Sequence, residues 1–106
     1  MTYQEKSPLE TELLSRASTV LPQSNLGNIN YEMIIKKGLR GHVWDESGNE
    51  YIDYLLGSGP MVVGHSHPKV IEAVLNQLDN GTTFFATNEK AIQLAEEIVK
   101  AVPCAE

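Results

Sequence analysis

Apolar residues recur at helical spacing in three stretches of this chain, and alternate with polar ones in a fourth that lies between the first two. Leu9, Leu13, Leu14, Ala17, Val20 and Leu21 fall on one face, the stripe of an amphipathic helix that needs a partner surface. Ser7 can cap it, Pro8 suits its first turn, and Glu10 completes an S-x-x-E capping box. Pro22 stops it. A second stripe, Val70, Ile71, Val74, Leu75 and Leu78, opens at Pro68 and closes at Asn80-Gly81, both tolerant of the left-handed conformation. A third, Ala91, Leu94, Ala95, Ile98 and Val102, is capped by Thr87 or Asn88 and ended by Pro103. Thr82-Thr83-Phe84-Phe85-Ala86 reads as a short extended link. The fourth stretch is β-like: Met33 to Lys36, then His42-Val43-Trp44 and Tyr51-Ile52-Asp53-Tyr54 around Asp45-Glu46-Ser47-Gly48-Asn49-Glu50. Aromatic and β-branched residues flanking D-x-x-G-N predict a hairpin, with Gly48 supplying a positive φ and Trp44 anchoring the core. Residues 23–30, with Ser24, Asn25, Gly27, Asn28 and Asn30, read as a loop, either a connector or part of a pocket wall.

A chain of 106 residues is one domain at most. Its 42% apolar and 21% charged residues are ordinary for a soluble globular protein. The net charge of −6 argues against a nucleic-acid partner, because phosphates favour basic surfaces. Cys104 is the only cysteine, so no intrachain disulfide forms, and a lone thiol fits a reducing compartment. No basic segment followed by an apolar run opens the chain, and no apolar run approaches the ~20 residues of a membrane span. A cytoplasmic protein without a membrane partner is expected.

The residues that bear chemistry cluster after the hairpin. Gly57-Ser58-Gly59-Pro60 follows a strand; its glycines allow close backbone approach to a ligand and Ser58 offers a hydroxyl. It is neither a P-loop nor a dinucleotide fingerprint, and Ser58 lacks the G-x-S-x-G setting of a nucleophile. Taken alone it is a tight turn leaving the sheet. His65-x-His67 lacks a third ligand at a familiar spacing, so these rings are expected to bond neighbouring backbone groups or cap the following helix. A Schiff-base lysine must be desolvated, and Lys6, Lys36, Lys37, Lys69, Lys90 and Lys100 all stand in polar or helix-surface contexts. No residue is assigned a catalytic, cofactor-binding or metal-ligating role.

Residues 48–68 read G-N-E-Y-I-D-Y-L-L-G-S-G-P-M-V-V-G-H-S-H-P. With Val43-Trp44-Asp45 before them, and Gly81-Thr82-Thr83-Phe84 and Leu94-Ala95-Glu96-x-Ile98-Val99 after, this string resembles the N-terminal part of the class III aminotransferases. The nearest subgroup is glutamate-1-semialdehyde 2,1-aminomutase. The resemblance implies an α+β segment (an N-terminal helix, a small antiparallel sheet and two further helices) of a dimeric fold-type I enzyme, itself α/β, that uses pyridoxal phosphate (PLP). It implies an arm and helix over residues 1–22, a small β unit with two helices over residues 23–106, and a large PLP-binding domain outside this chain. It places Ser58, Gly59 and Pro60 in the substrate-pocket wall. The family's phosphate-binding turn, pyridine-facing aspartate and Schiff-base lysine would lie beyond Glu106, so this chain is expected neither to catalyse alone nor to hold PLP stably. Its expected partner is the remainder of the enzyme or a second subunit, since three amphipathic helices present more apolar face than a small body covers. Where the aminomutase subgroup carries an N-S-P-V-R-like loop, this chain reads Ser24-Asn25-Leu26-Gly27-Asn28-Ile29-Asn30, which favours a transaminase. The alternatives are a non-catalytic interaction module of the same ancestry and an unrelated small α+β binding protein.

Overall fold

The computed structural model describes residues 3–22 and 32–104; the loop expected over residues 23–30 lies outside the described residues. The chain divides into two compact units, Met1–Ile71 and Glu72–Glu106.

In the first unit, helix α1 (Pro8–Val20) is followed by strands β1 (Ile35–Leu39), β2 (His42–Asp45) and β3 (Glu50–Ile52), which form an antiparallel sheet in that order. The first strand starts and ends later than the run Met33 to Lys36 suggested. A bulge between Ile35 and Lys37 explains why its pattern is hard to read: Ile35 pairs with Asp45, but Lys37 pairs with Trp44. Two residues in the same strand, two apart, therefore face opposite sides. One face carries Ile35, Gly38, Val43, Asp45 and Tyr51, and the other Lys37, Leu39, His42, Trp44 and Glu50. Trp44 is only half-buried, and the Lys37 ammonium lies 4.4 Å from its ring centre.

Polar contacts fix α1 and the N-terminal arm to this sheet. The Ser7 hydroxyl accepts from the Glu10 amide at 3.1 Å, as a capping box requires. The reciprocal bond is rerouted. The Glu10 carboxylate accepts from the Ile34 amide (3.0 Å) and the Ser47 hydroxyl, and Ser47 in turn accepts from the Ser7 amide at 2.7 Å. Ser47 thus stands where Glu10 would have capped, and Glu10 is free to tie the helix to the sheet. Further back, the Asn49 side chain accepts from the Gln4 amide (2.6 Å) and donates to the Gln4 carbonyl (3.2 Å). On α1, Leu13, Leu14, Ala17 and Leu21 are half-buried, whereas Leu9 and Val20 are exposed.

Helix α2 (Pro68–Leu78) runs from the first unit into the second, which continues with α3 (Glu89–Ala101). Asn88 rather than Thr87 caps α3, accepting from the Ala91 amide at 3.1 Å, and Gly81 (φ 85°) follows α2 as its left-handed stop. Both apolar stripes are about half exposed, from Val70 to Leu78 and from Ile92 to Val102. Among the described residues no hydrophobic side chain is fully buried; the buried side chains are Glu10 and Asp45. No helix of the described residues is long and apolar enough to cross a membrane.

Candidate functional site

The glycine-rich segment leaves β3 through Asp53. Its Oδ1 accepts from the amides of Leu55 (2.9 Å) and Leu56 (3.0 Å), turning the chain off the sheet. Leu56, Gly57, Ser58 and Gly59 then all have positive φ, at 50°, 64°, 64° and 123°. The amides of Ser58, Gly59 and Met61 close this left-handed turn on the carbonyls of Leu55 and Leu56. Glycine adopts such angles freely, but Leu56 and Ser58 carry a Cβ, at a cost of roughly 1–2 kcal/mol each. Strain of this kind persists only where the surroundings over-determine it.

Those surroundings are visible. The amide and carbonyl of His65 exchange 2.8 Å bonds with those of Arg40, at the tip of the β1–β2 hairpin. The His65 ring covers Gly38 so closely that a Cβ there would lie 2.5 Å from its Cγ. Its Nε2 donates to Asp53 Oδ2 at 2.7 Å, since an ionised carboxylate can only accept. The expectation that both histidines serve neighbouring backbone groups is therefore corrected for His65, whose ring reaches a carboxylate twelve residues away. Sequence spacing gave no sign of this pairing, because it depends on the sheet returning Gly38 beneath the ring. The His67 carbonyl accepts from the Val70 and Ile71 amides at the start of α2. Among the described residues no cluster of three or more potential metal ligands occurs.

Beside the turn, the sheet face of Val43 and Tyr51 opens a largely apolar basin of about 530 Å³, with Gly57, Asp53 and His65 on its margin. Ser58, Gly59 and Pro60 are exposed. Nothing within 4 Å would oppose a Cβ at Gly59, although its φ of 123° disfavours one. On the same face, the Tyr51 hydroxyl donates to Asp45 Oδ2 at 2.8 Å, and Asn49 donates to both oxygens of Asp45. Burial and the bond to Asp45 push the Tyr51 hydroxyl up to about 12. Burial also raises the Asp45 carboxyl, but the bonds from Asn49, Tyr51 and the backbone outweigh it and hold that group below its usual range. Asp53 is likewise held low, chiefly by the His65 bond.

A depressed carboxylate pKa stabilises the fold above the unfolded-state value, near ~3.9 for aspartate, and that stability is lost as pH falls through the folded-state value. The urea midpoint read by Trp44 fluorescence is therefore expected to drop between pH 6 and pH 3. In the Asp45→Asn, Asp53→Asn double variant the drop should be smaller. An unchanged drop would show that other acids set the acid sensitivity.

No lysine here fits the anchoring of PLP. Lys6, Lys36 and Lys100 pair at the surface with Glu32, Glu46 and Glu97. Lys37 lies over Trp44, Lys90 bonds Gln93, and Lys69 is exposed in the first turn of α2. None is desolvated as a Schiff-base lysine must be.

The sequence model of the family described as Aminotransferase class-III matches residues 24–106. The chain belongs to the class III aminotransferases. It is 42% identical over 99 residues to the glutamate-1-semialdehyde 2,1-aminomutase of Methanothermobacter thermautotrophicus, covering 90% of this chain and 24% of that protein. The fold is similar to that of an omega-transaminase from Sphaerobacter thermophilus, with a TM-score of 0.82 and 30% identity over 95% of this chain and 24% of that one. It is also similar to a transaminase solved with PLP bound, with a TM-score of 0.78 and 27% identity over 92% of this chain and 24% of that one. The chain thus spans about a quarter of the length of such relatives, and matches the N-terminal region of class III aminotransferases. An α+β segment of a fold-type I enzyme is what the helices, the three-stranded antiparallel sheet and these neighbours show.

Proposed function

We propose that this chain serves amino-group transfer as the N-terminal segment of a PLP-dependent class III aminotransferase, supplying part of the substrate-pocket wall and none of the catalytic groups. The observation that carries this reading is the left-handed turn 56–59. Its strained backbone leaves Ser58, Gly59 and Pro60 exposed, and Gly57 of the same turn lines the apolar basin. The remainder of the enzyme supplies the cofactor lysine and phosphate site, and with a second subunit covers the half-exposed stripes of α2 and α3. PLP, when bound there, acts as the electron sink for the substrate amine. Aminomutase-like chemistry is a second reading, favoured by the 42% identity to the Methanothermobacter protein.

The test is a chimera in which this chain replaces the matching opening segment of the Sphaerobacter omega-transaminase. It is expected to bind PLP and transaminate. Ser58→Phe is the better probe of the wall than a Gly59 variant, because Ser58 already carries a Cβ at its φ of 64° whereas any side chain at Gly59 is strained. It should alter preference among amine donors by about tenfold or more, since even a methylene-sized change in a pocket is worth about 1–3 kcal/mol. The isolated chain, mixed with PLP and reduced with borohydride, should show no stoichiometric labelling of one lysine. Such labelling, or equal loss for every donor in the Ser58 variant, would overturn the proposal.

A further inference from the structure

We propose that Asp53 and His65 are positioning residues for the pocket wall: a clamp that transmits the placement of the sheet to the turn 56–59. This rests on the pocket-wall reading above and names the side chains that would set its shape.

The two oxygens of Asp53 are divided between two tasks. Oδ1 holds the amides of Leu55 and Leu56, where the left-handed turn begins, and Oδ2 receives His65 Nε2 at 2.7 Å. Asp53 is anchored in turn by its own amide, which donates to the Gly41 carbonyl at 2.9 Å. His65 is fixed independently by its two-way backbone bridge to Arg40 and by its ring against Gly38. Both partners, which flank the turn in sequence, are therefore tied to the tip of the β1–β2 hairpin at Arg40 and Gly41. The turn's own bonds, from Ser58, Gly59 and Met61, run only to Leu55 and Leu56, so they define its shape but not its placement. Placement comes through Asp53, whose side chain at 12% exposure has little water to replace a lost partner. A purely local role for this carboxylate would use Oδ1 alone, as in an ordinary turn. The ring of His65 adds a link to the sheet that the turn does not need in order to form.

The experiment follows amide hydrogen exchange by NMR in the full 106-residue chain, comparing His65→Gln with His65→Asn. The glutamine amide nitrogen is the same number of bonds from Cβ as Nε2 and reaches Asp53; the asparagine amide stops short. In His65→Asn the amides of Ser58, Gly59 and Met61 should exchange about tenfold faster, the scale of one charge-assisted hydrogen bond, while the ladder amides of Val43 and Tyr51 keep their rates. In His65→Gln all five should stay near wild type. Gly38→Ala leaves both partners intact but drives a methyl group into the ring, and should open the same three amides. Equal loosening of turn and ladder, or identical behaviour of the asparagine and glutamine variants, overturns the clamp. In the transaminase chimera, His65→Asn should raise KM for the amine donor several-fold more than it lowers kcat. An opened turn with unchanged KM would sustain the clamp and overturn the pocket-wall reading instead.

Discussion

Glu10→Ala is expected to release α1 from the sheet, lowering stability by about 1–3 kcal/mol, the cost of leaving two half-buried donors without their acceptor. Those donors are the Ile34 amide and the Ser47 hydroxyl, which Glu10 receives at 1% exposure. The Ser7 hydroxyl still caps the helix in this variant, so the helix is not expected to unwind at its start. Detachment and unwinding are separable. Limited proteolysis should cut α1 itself many times faster in the variant, while far-ultraviolet circular dichroism keeps most of its helical signal. Glu10→Gln keeps an acceptor oxygen for one of the two donors and should fall between. Equal proteolysis of wild type and Glu10→Ala would show that apolar contacts of Leu13, Leu14 and Ala17 hold the helix without Glu10.

The second large effect is expected at Gly64. Its φ is 79°, and a Cβ would lie 2.8 Å from both the carbonyl carbon and the oxygen of Arg40. Conformational strain of roughly 1–2 kcal/mol adds to a backbone collision that no side-chain rotation relieves. Gly64→Ala is thus expected to destabilise the first unit by about 2–4 kcal/mol and to part Arg40 from His65. Gly41→Ala is the matched control: a methyl group added on the hairpin tip that Gly64 faces meets nothing within 4 Å. The urea midpoint by Trp44 fluorescence should fall for Gly64→Ala and stay near wild type for Gly41→Ala. Equal midpoints would mean that the Arg40–His65 bridge adapts at little cost.

Much of the fold was legible because its signals are local. Ser7 and Pro8 mark the start of α1, Pro68 that of α2, and Asn88 that of α3; the D-x-x-G-N turn marks the hairpin. What could not be read depends on residues far apart. The bulge in β1 changes which face Ile35 takes, and only pairing with Asp45 and Trp44 reveals it. Glu10 satisfies a capping-box pattern in sequence, yet its carboxylate goes to Ile34 and Ser47, because Ser47 lies close enough to take over the Ser7 amide. In the candidate site, Ser58, Gly59 and Pro60 stood out by composition, whereas Asp53 reads as an ordinary strand residue and His65 as half of an H-x-H pair. Nothing local signals that they meet. Trp44 reads as a core anchor because large aromatic residues usually are, but in this unit the buried positions belong to polar side chains.

The grip of Asn49 on Gln4 is one-sided in its chemistry: Asn49 contributes a side chain and Gln4 only its main chain. Every residue except proline presents the same amide and carbonyl to that grip. Position 4 is therefore free to drift in sequence while Asn49 is not. The neighbouring Tyr3 is not equally free, because its ring lies 5.6 Å from that of Tyr51; the arm's docking would outlast changes at one position and not at the other.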